Sequence, residues 1–268
     1  MTRIRWIARA WLALAATAVF AMLPALAATP APSSTKPKPA PVTARIAVAA
    51  NFADVARMLA AEYGRRSGNR ITISSASTGK LYAQIHNGAP FDALLSADAS
   101  TPRLLVNEGL AEGNTLQDYA TGRLVLWSRD PALVRDGEAL LRQGSISKLA
   151  IANPELAPYG AAARETLQYL RRWTELQPNL VIGENVGQAA QFVASGAAPL
   201  GLLPASLVLP ARGRPAGSSW TVPAAWHAPI VQSAVLLRHG RGNAAARGFL
   251  QYLQSPGVRA KIRTLGYD

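Results

Sequence analysis

Four short stretches carry residues whose types and spacing could hold a small anion: Ala50-Asn51, Ser77-Thr78-Gly79, Tyr159-Gly160 and Val186-Gly187. Each lies after an apolar, strand-like run and at or near the start of a helix-like one. The first N–H groups of a helix have no intrahelical acceptor, and the helix dipole places its positive end there, so such starts suit an anion. Hydroxyl residues at a helix start also serve as ordinary caps, so each stretch alone is ambiguous. The set says more. Two stretches fall in each half of the chain, and none places a Lys or Arg at the turn, Lys80 being the nearest. If the halves face each other across a cleft, the four starts converge on one small anion. Neutral N–H and hydroxyl groups would hold it through charge-assisted, geometrically selective bonds.

The elements that must position these turns are legible in outline. A short buried strand spans Ala44 to Ala50, and Asn51 is expected to cap a helix with Phe52, Val55, Met58, Leu59 and Tyr63 at helical spacing. A strand from Arg70 to Ser75 leads into the hydroxyl turn, a helix carrying Leu81 and Ile85, and a break at Asn87-Gly88-Ala89-Pro90. Phe91 to Leu95 then reads as a strand, Thr101 to Glu108 as a helix and Arg123 to Ser128 as a strand. The second half repeats this grammar. Strands are expected at Leu149 to Asn153, Leu180 to Ile182 and Leu200 to Leu203, with helices after Pro158-Tyr159-Gly160 and after Asn185. Ile230 to Leu237 resembles a strand returning to the first unit, followed by two closing helices. Strand-helix alternation predicts an α/β fold with parallel strands and helices on the sheet faces. Ligands of such sheets sit beyond the carboxyl ends of the strands.

Composition bounds the function. With 268 residues, 49% of them apolar and 16% charged, the chain can bury the core of a two-lobed protein. It has no cysteine, which excludes disulfides, thiolate chemistry, Cys-ligated metal and a lipid-bearing cysteine anchor. Arg3, Arg5 and Arg9, the apolar run from Ala10 to Met22 and Ala25-Leu26-Ala27 read as a cleavable signal peptide over residues 1–27. Residues 28–43, rich in Pro, Ser, Lys and Ala, read as a flexible leader. The formal charge is +13. Five of the 28 basic residues precede Thr43 and none of the 15 acidic ones does, which leaves +8 beyond it. No basic run interleaves with aromatics, so this charge is read as diffuse attraction for anions and not as a nucleic-acid groove.

The segments AANFADVARMLAAEY, SSASTGKLYAQIHNGAPFDALLSAD, GRLVLWS, IANPELAPYG and ENVGQAAQFVASG together resemble the periplasmic molybdate-binding proteins of ABC-type molybdate transporters. The similarity runs from about Arg45 to Tyr267, and NGAPFDALLSAD and NPELAPYG are its most specific parts. The resemblance implies a type II periplasmic binding-protein fold of two α/β lobes joined by two hinge strands. Residues 44–123 with 229–268 would form lobe I and residues 124–228 lobe II. It implies a monomeric periplasmic protein, not an enzyme, that captures molybdate or tungstate and delivers it to a membrane permease. No cofactor is expected, and molybdenum enters only as the oxyanion. The implied ligand residues are Asn51, Thr78, Tyr159 and Val186, the last through its backbone N–H, with Ala50 and Ser77 beside them. Ala50 stands where similar chains have Thr, and Pro204 where some use a Tyr hydroxyl, so the Asn51 side-chain amide is expected to supply a replacement donor. A binding protein for sulfate or another tetrahedral oxyanion is the alternative. More remote are an exported hydrolase using Asp98 or Glu184 and a basic surface-adhesion module.

Other polar residues receive structural readings. Asp92 and Asp98 flank an apolar strand and are expected to fix its turns, and Glu184 to face away from an anion it would repel. His86, His227 and His239 lack metal-ligand spacing.

Overall fold

The computed structural model describes residues 40–208 and 217–268. The signal-peptide reading of residues 1–27, and the leader up to residue 39, lie outside the described residues; Thr43, the last leader residue, already opens the first strand. The first half of the chain runs β1 (Thr43–Ala49), α1 (Ala53–Ser67), β2 (Arg70–Ala76), α2 (Thr78–His86), β3 (Ala93–Leu95), α3 (Ser100–Asn107) and β4 (Gln117–Gly122). It crosses at Arg123 into β5 (Leu124–Ser128), α4 (Gly137–Gln143), β6 (Leu149–Ala152), α5 (Pro158–Tyr169), α6 (Trp173–Leu176), β7 (Leu180–Gly183), α7 (Val186–Ala194), β8 (Leu200–Pro204), α8 (Ala205–Val208) and β9 (Ser218–Thr221). It then returns through β10 (Ile230–Leu236) to α9 (Ala244–Leu253) and α10 (Pro256–Thr264).

The strands form two five-stranded mixed sheets, ordered β2-β1-β3-β10-β4 and β7-β6-β8-β5-β9. In the first, β1 is parallel to β2 and β3, whereas β10 is antiparallel to β3 and β4. The second repeats the plan, with β6 parallel to β7 and β8 and β5 antiparallel to β8 and β9. The chain passes between the sheets twice, from β4 to β5 and from β9 to β10.

The apolar runs lack a polar face because helices cover both sides of each sheet. Alternate residues of β1 part accordingly. Ile46 and Val48 pack with Phe52, Leu59 and Phe249, while Ala47 packs with Leu81, Leu94 and Leu105 on the other face. In β5, Leu124 and Leu126 join Ile151 and Leu167, while Val125 and Trp127 join Ala189 and Val193. At full burial each of the Leu, Ile, Val and Phe side chains contributes about 1.5–3 kcal/mol. The four turns that follow β1, β2, β6 and β7 thus project from the carboxyl ends of parallel strands held in rigid sheets.

Candidate functional site

The four turns meet. Ala50, Asn51, Ser77, Thr78, Tyr159 and Val186, the six residues singled out in the sequence, line one small cavity together with Ala49, Ala97, Ala157, Pro158 and Asn185. The space it encloses is about 10 Å³, far below the roughly 300–1,000 Å³ of ordinary small-molecule pockets. Ala49–Asn51, Ser77–Thr78 and Ala97 come from the elements of the first sheet, and the rest from those of the second. No charged side chain lines it.

Local backbone bonding decides which N–H groups remain for a ligand. At the start of α7, the Asn185 Oδ1 accepts from the N–H groups of Gly187 (2.9 Å) and Gln188 (3.2 Å), leaving that of Val186. At the start of α5, Pro158 has no N–H, and those of Gly160 and Ala161 go to the Ala157 carbonyl at 2.8 and 3.0 Å. This leaves the N–H of Tyr159. Gly160 is needed here because a Cβ would overlap the Ala152 carbonyl at the end of β6. At the start of α2, the Gly79 N–H crosses to the Leu156 carbonyl (2.9 Å) and the Leu81 N–H returns to the Ser77 carbonyl (3.0 Å). The Thr78 N–H remains. Each of the three helices thus keeps one N–H in the cavity wall, at a position where helix geometry provides no partner.

The hydroxyls at the second turn divide their work. Thr78 Oγ1 accepts from the Ala97 N–H at 3.2 Å, which ties the turn to the end of β3. Ser77 occupies the cap position but makes no capping bond, and its Oγ is buried without a partner. Buried hydroxyls normally find partners, and leaving one unpaired is costly. Ser77 thus joins Thr78 as a hydroxyl able to donate: Thr78 Oγ1 accepts from Ala97 and keeps its own hydrogen, while Ser77 Oγ has no partner at all.

Asn51 departs further from expectation. It lies inside a single 3₁₀ turn, Ala50–Phe52, and caps nothing: α1 begins at Ala53, after Phe52. Its side-chain amide was expected to offer a donor for the anion. Instead Nδ2 donates to Gln232 Oε1 (2.9 Å) and Tyr267 Oη (3.3 Å), and Tyr267 Oη donates back to the Asn51 carbonyl (2.8 Å). With both amide hydrogens engaged, what the turn presents to the cavity is backbone N–H. Pro204 ends β8 opposite Leu124 and is not part of the wall.

Sequence reading missed the layer behind these turns: Tyr119, Gln232 and Tyr267, all at most 1% exposed. The available signal was a polar pair, Gln232-Ser233, inside an otherwise apolar strand. Burial pushes the Tyr119 and Tyr159 hydroxyls well above the ordinary tyrosine range, so both remain neutral donors.

The remaining acids and histidines have structural partners. Asp92 accepts from the Arg45 N–H (2.7 Å) and pairs with His239 (3.1 Å). Asp98 caps α3 through the Thr101 N–H (2.7 Å) and hydroxyl (3.0 Å). Glu184 is exposed and pairs with Lys80 at 2.7 Å. A larger groove beside the cavity contains Asp98, Glu155 and Glu165. Glu155 pairs there with Arg164 and Glu165 with the Ala228 N–H, so no free carboxylates converge. Among the described residues no three His, Asp or Glu side chains gather as a metal site, and no helix is long and apolar enough to cross a membrane.

Compared with known proteins, residues 44–268 match the family described as bacterial extracellular solute-binding protein. The chain belongs to that family. Two relatives, each named molybdate-binding protein ModA, come from Rhodobacter capsulatus and Azotobacter vinelandii. The first is 44% identical over 221 residues, covering 82% of this chain and 86% of its own. The second is 40% identical over 223 residues, covering 83% and 88%. The solved periplasmic molybdate-binding protein of Azotobacter vinelandii matches with a TM-score of 0.80 at 37% identity, over 84% of this chain and 98% of that one. The two mixed sheets with their flanking helices are the type II periplasmic binding-protein fold anticipated from the sequence. A solute-binding protein of this kind is not an enzyme.

Proposed function

We propose that this chain captures molybdate in the cavity between its lobes and delivers it to the membrane permease of an ABC transporter. Residues 44–123 with 229–268 would act as lobe I and residues 124–228 as lobe II. The observation that carries the reading is the donor set. The N–H groups of Ala50 and Asn51, Thr78, Tyr159 and Val186, with the Ser77 hydroxyl, surround one small cavity that no charged side chain enters. Similarity to two molybdate-binding relatives at 44% and 40% identity supports the choice of ion. A fully ionised tetrahedral dianion accepts at every oxygen, and each bond from a neutral donor to it contributes about 1.5–3 kcal/mol. Tungstate, with the same shape and charge, is expected to compete. Sulfate is smaller and cannot reach all of the fixed donors at once. Hydrogen phosphate carries a proton for which the wall provides no carboxylate acceptor, at a cost of roughly 1–3 kcal/mol. The protein would act as a monomer in the periplasm, without a cofactor.

Calorimetric titration with molybdate, tungstate, sulfate and phosphate tests the proposal. Tight 1:1 binding of the first two and weak or absent binding of the others is the expected result. Sulfate or phosphate binding as tightly as molybdate would refute the selectivity, and sulfate alone binding would reassign the ligand.

A further inference from the structure

Among the described residues, Gln232 is the one fully buried side-chain amide that touches both halves of the cavity wall. It lies in β10, at a bulge in the register with β4, and is 0% exposed. Its Oε1 accepts from Asn51 Nδ2 at 2.9 Å, and also from Tyr119 Oη at 3.0 Å, whose hydrogen is shared with the Ser96 carbonyl at 2.9 Å. Its Nε2 donates to Tyr159 Oη at 3.1 Å. Asn51 follows β1 of the first sheet, and Tyr159 stands in the first turn of α5 against the second. Gly122, the last residue before the chain crosses between sheets, makes the meeting possible: a Cβ there would overlap the Tyr159 hydroxyl and lie 2.9 Å from Gln232 Nε2.

A buried amide is costly unless its hydrogen bonds are made. Here the Oε1 bonds lie within the elements of the first sheet, but the Nε2 bond is made only when Tyr159 is seated against Gly122 and Gln232, with α5 docked on that sheet. The same seating brings the Tyr159 N–H to the wall opposite the Asn51 turn. We propose that Gln232 is a positioning residue that couples lobe closure to assembly of the anion site, an inference that rests on the ligand reading above. It touches no ligand. It favours the closed arrangement by linking the Asn51 turn to Tyr159, so its loss should shorten the residence of the ion.

The test is stopped-flow and calorimetric binding of molybdate to the full chain and to the Gln232→Met, Tyr159→Phe and doubly substituted forms. Tyr159→Phe retains the backbone N–H and removes only the hydroxyl. Each single change should speed dissociation about five- to thirtyfold while association changes less than threefold. The double form should be no worse than the weaker-binding single one, because both changes break the same link. A purely structural role would lower the melting temperature of the ligand-free protein and leave the dissociation rate alone, which would overturn the proposal, as would additive losses. If Gln232→Met does not fold, Tyr159→Phe decides: an unchanged dissociation rate refutes the coupling. Failure of the ligand reading is distinguishable, because the unsubstituted chain would then not bind molybdate. The same rate comparison would be run with whichever of tungstate, sulfate or phosphate it does bind, and if it binds none of them both readings fall.

Discussion

Replacing Ser77 with alanine should separate binding from stability. In the folded protein the Ser77 Oγ is buried and has no partner, although the residue occupies the cap position of α2. Deleting it therefore removes no hydrogen bond made by the protein itself. An unpaired buried hydroxyl costs about 1–3 kcal/mol relative to a paired one, so Ser77→Ala should leave the melting temperature of the ligand-free protein unchanged or raise it by a few degrees. The anion loses a charge-assisted bond of about 1.5–3 kcal/mol, a roughly 10- to 150-fold weaker Kd. The useful comparison is Thr78→Val. Its Oγ1 holds the Ala97 N–H, so its loss should cost the fold about 1 kcal/mol, which the Ser77 change should not. Differential scanning fluorimetry with and without molybdate, alongside calorimetric titration, reads both quantities. If Ser77→Ala destabilised the ligand-free protein while binding molybdate normally, the assignment of this hydroxyl to the ligand would be wrong.

Other substitutions probe single elements of the same design. Val186→Pro deletes one N–H at a position where proline is tolerated, the first residue of α7 after an extended Asn185; the fold should survive and titration should show binding weaker by about tenfold or more. Gly122→Ala places a methyl group on the Tyr159 hydroxyl; it should lower affinity, and small-angle scattering should show less compaction on adding molybdate than the unsubstituted protein shows. The pH dependence follows from the buried tyrosines. Tyr119 and Tyr159 titrate well above the ordinary value in the folded state, so above about pH 10 the unfolded chain loses protons that the folded one keeps. Their contribution is complete below that pH and is lost as pH rises further, which denaturant titrations at increasing pH should register as falling stability. Molybdate affinity should stay flat between about pH 6 and 9, since the one titratable side chain of the wall, Tyr159, keeps its proton throughout that range.

The sequence displayed the strands well because most are apolar runs buried on both faces. IAVA and LVLW could be little else. It hid β4, whose residues QDYATG mix an acid, an amide and a glycine; pairing with β10 makes that segment a strand, and no local propensity announces it. The turns were readable because four such helix starts recur, two in each half of the chain, although each alone would pass for an ordinary cap. The partition of work within them was not. That Thr78 Oγ1 has a protein partner and Ser77 Oγ has none depends on Ala97, nineteen residues past Thr78, and the fate of the Asn51 amide depends on Gln232 and Tyr267, more than 180 residues on. Spacing along a chain predicts which residues can begin a helix. It does not predict which partner arrives from a distant strand to claim a side chain.

The uncharged wall has a consequence for release. An arginine or lysine clamp would keep its grip on an anion even when half the surrounding structure had moved away, because a monopole needs no company. Dipoles fixed in two separate bodies attract strongly only in concert, and each falls back to hydrating water once its opposite number withdraws. A transporter that pries this protein open by a few ångströms would therefore meet only the donors left on one side, now competing with water, and unloading becomes largely a matter of shape.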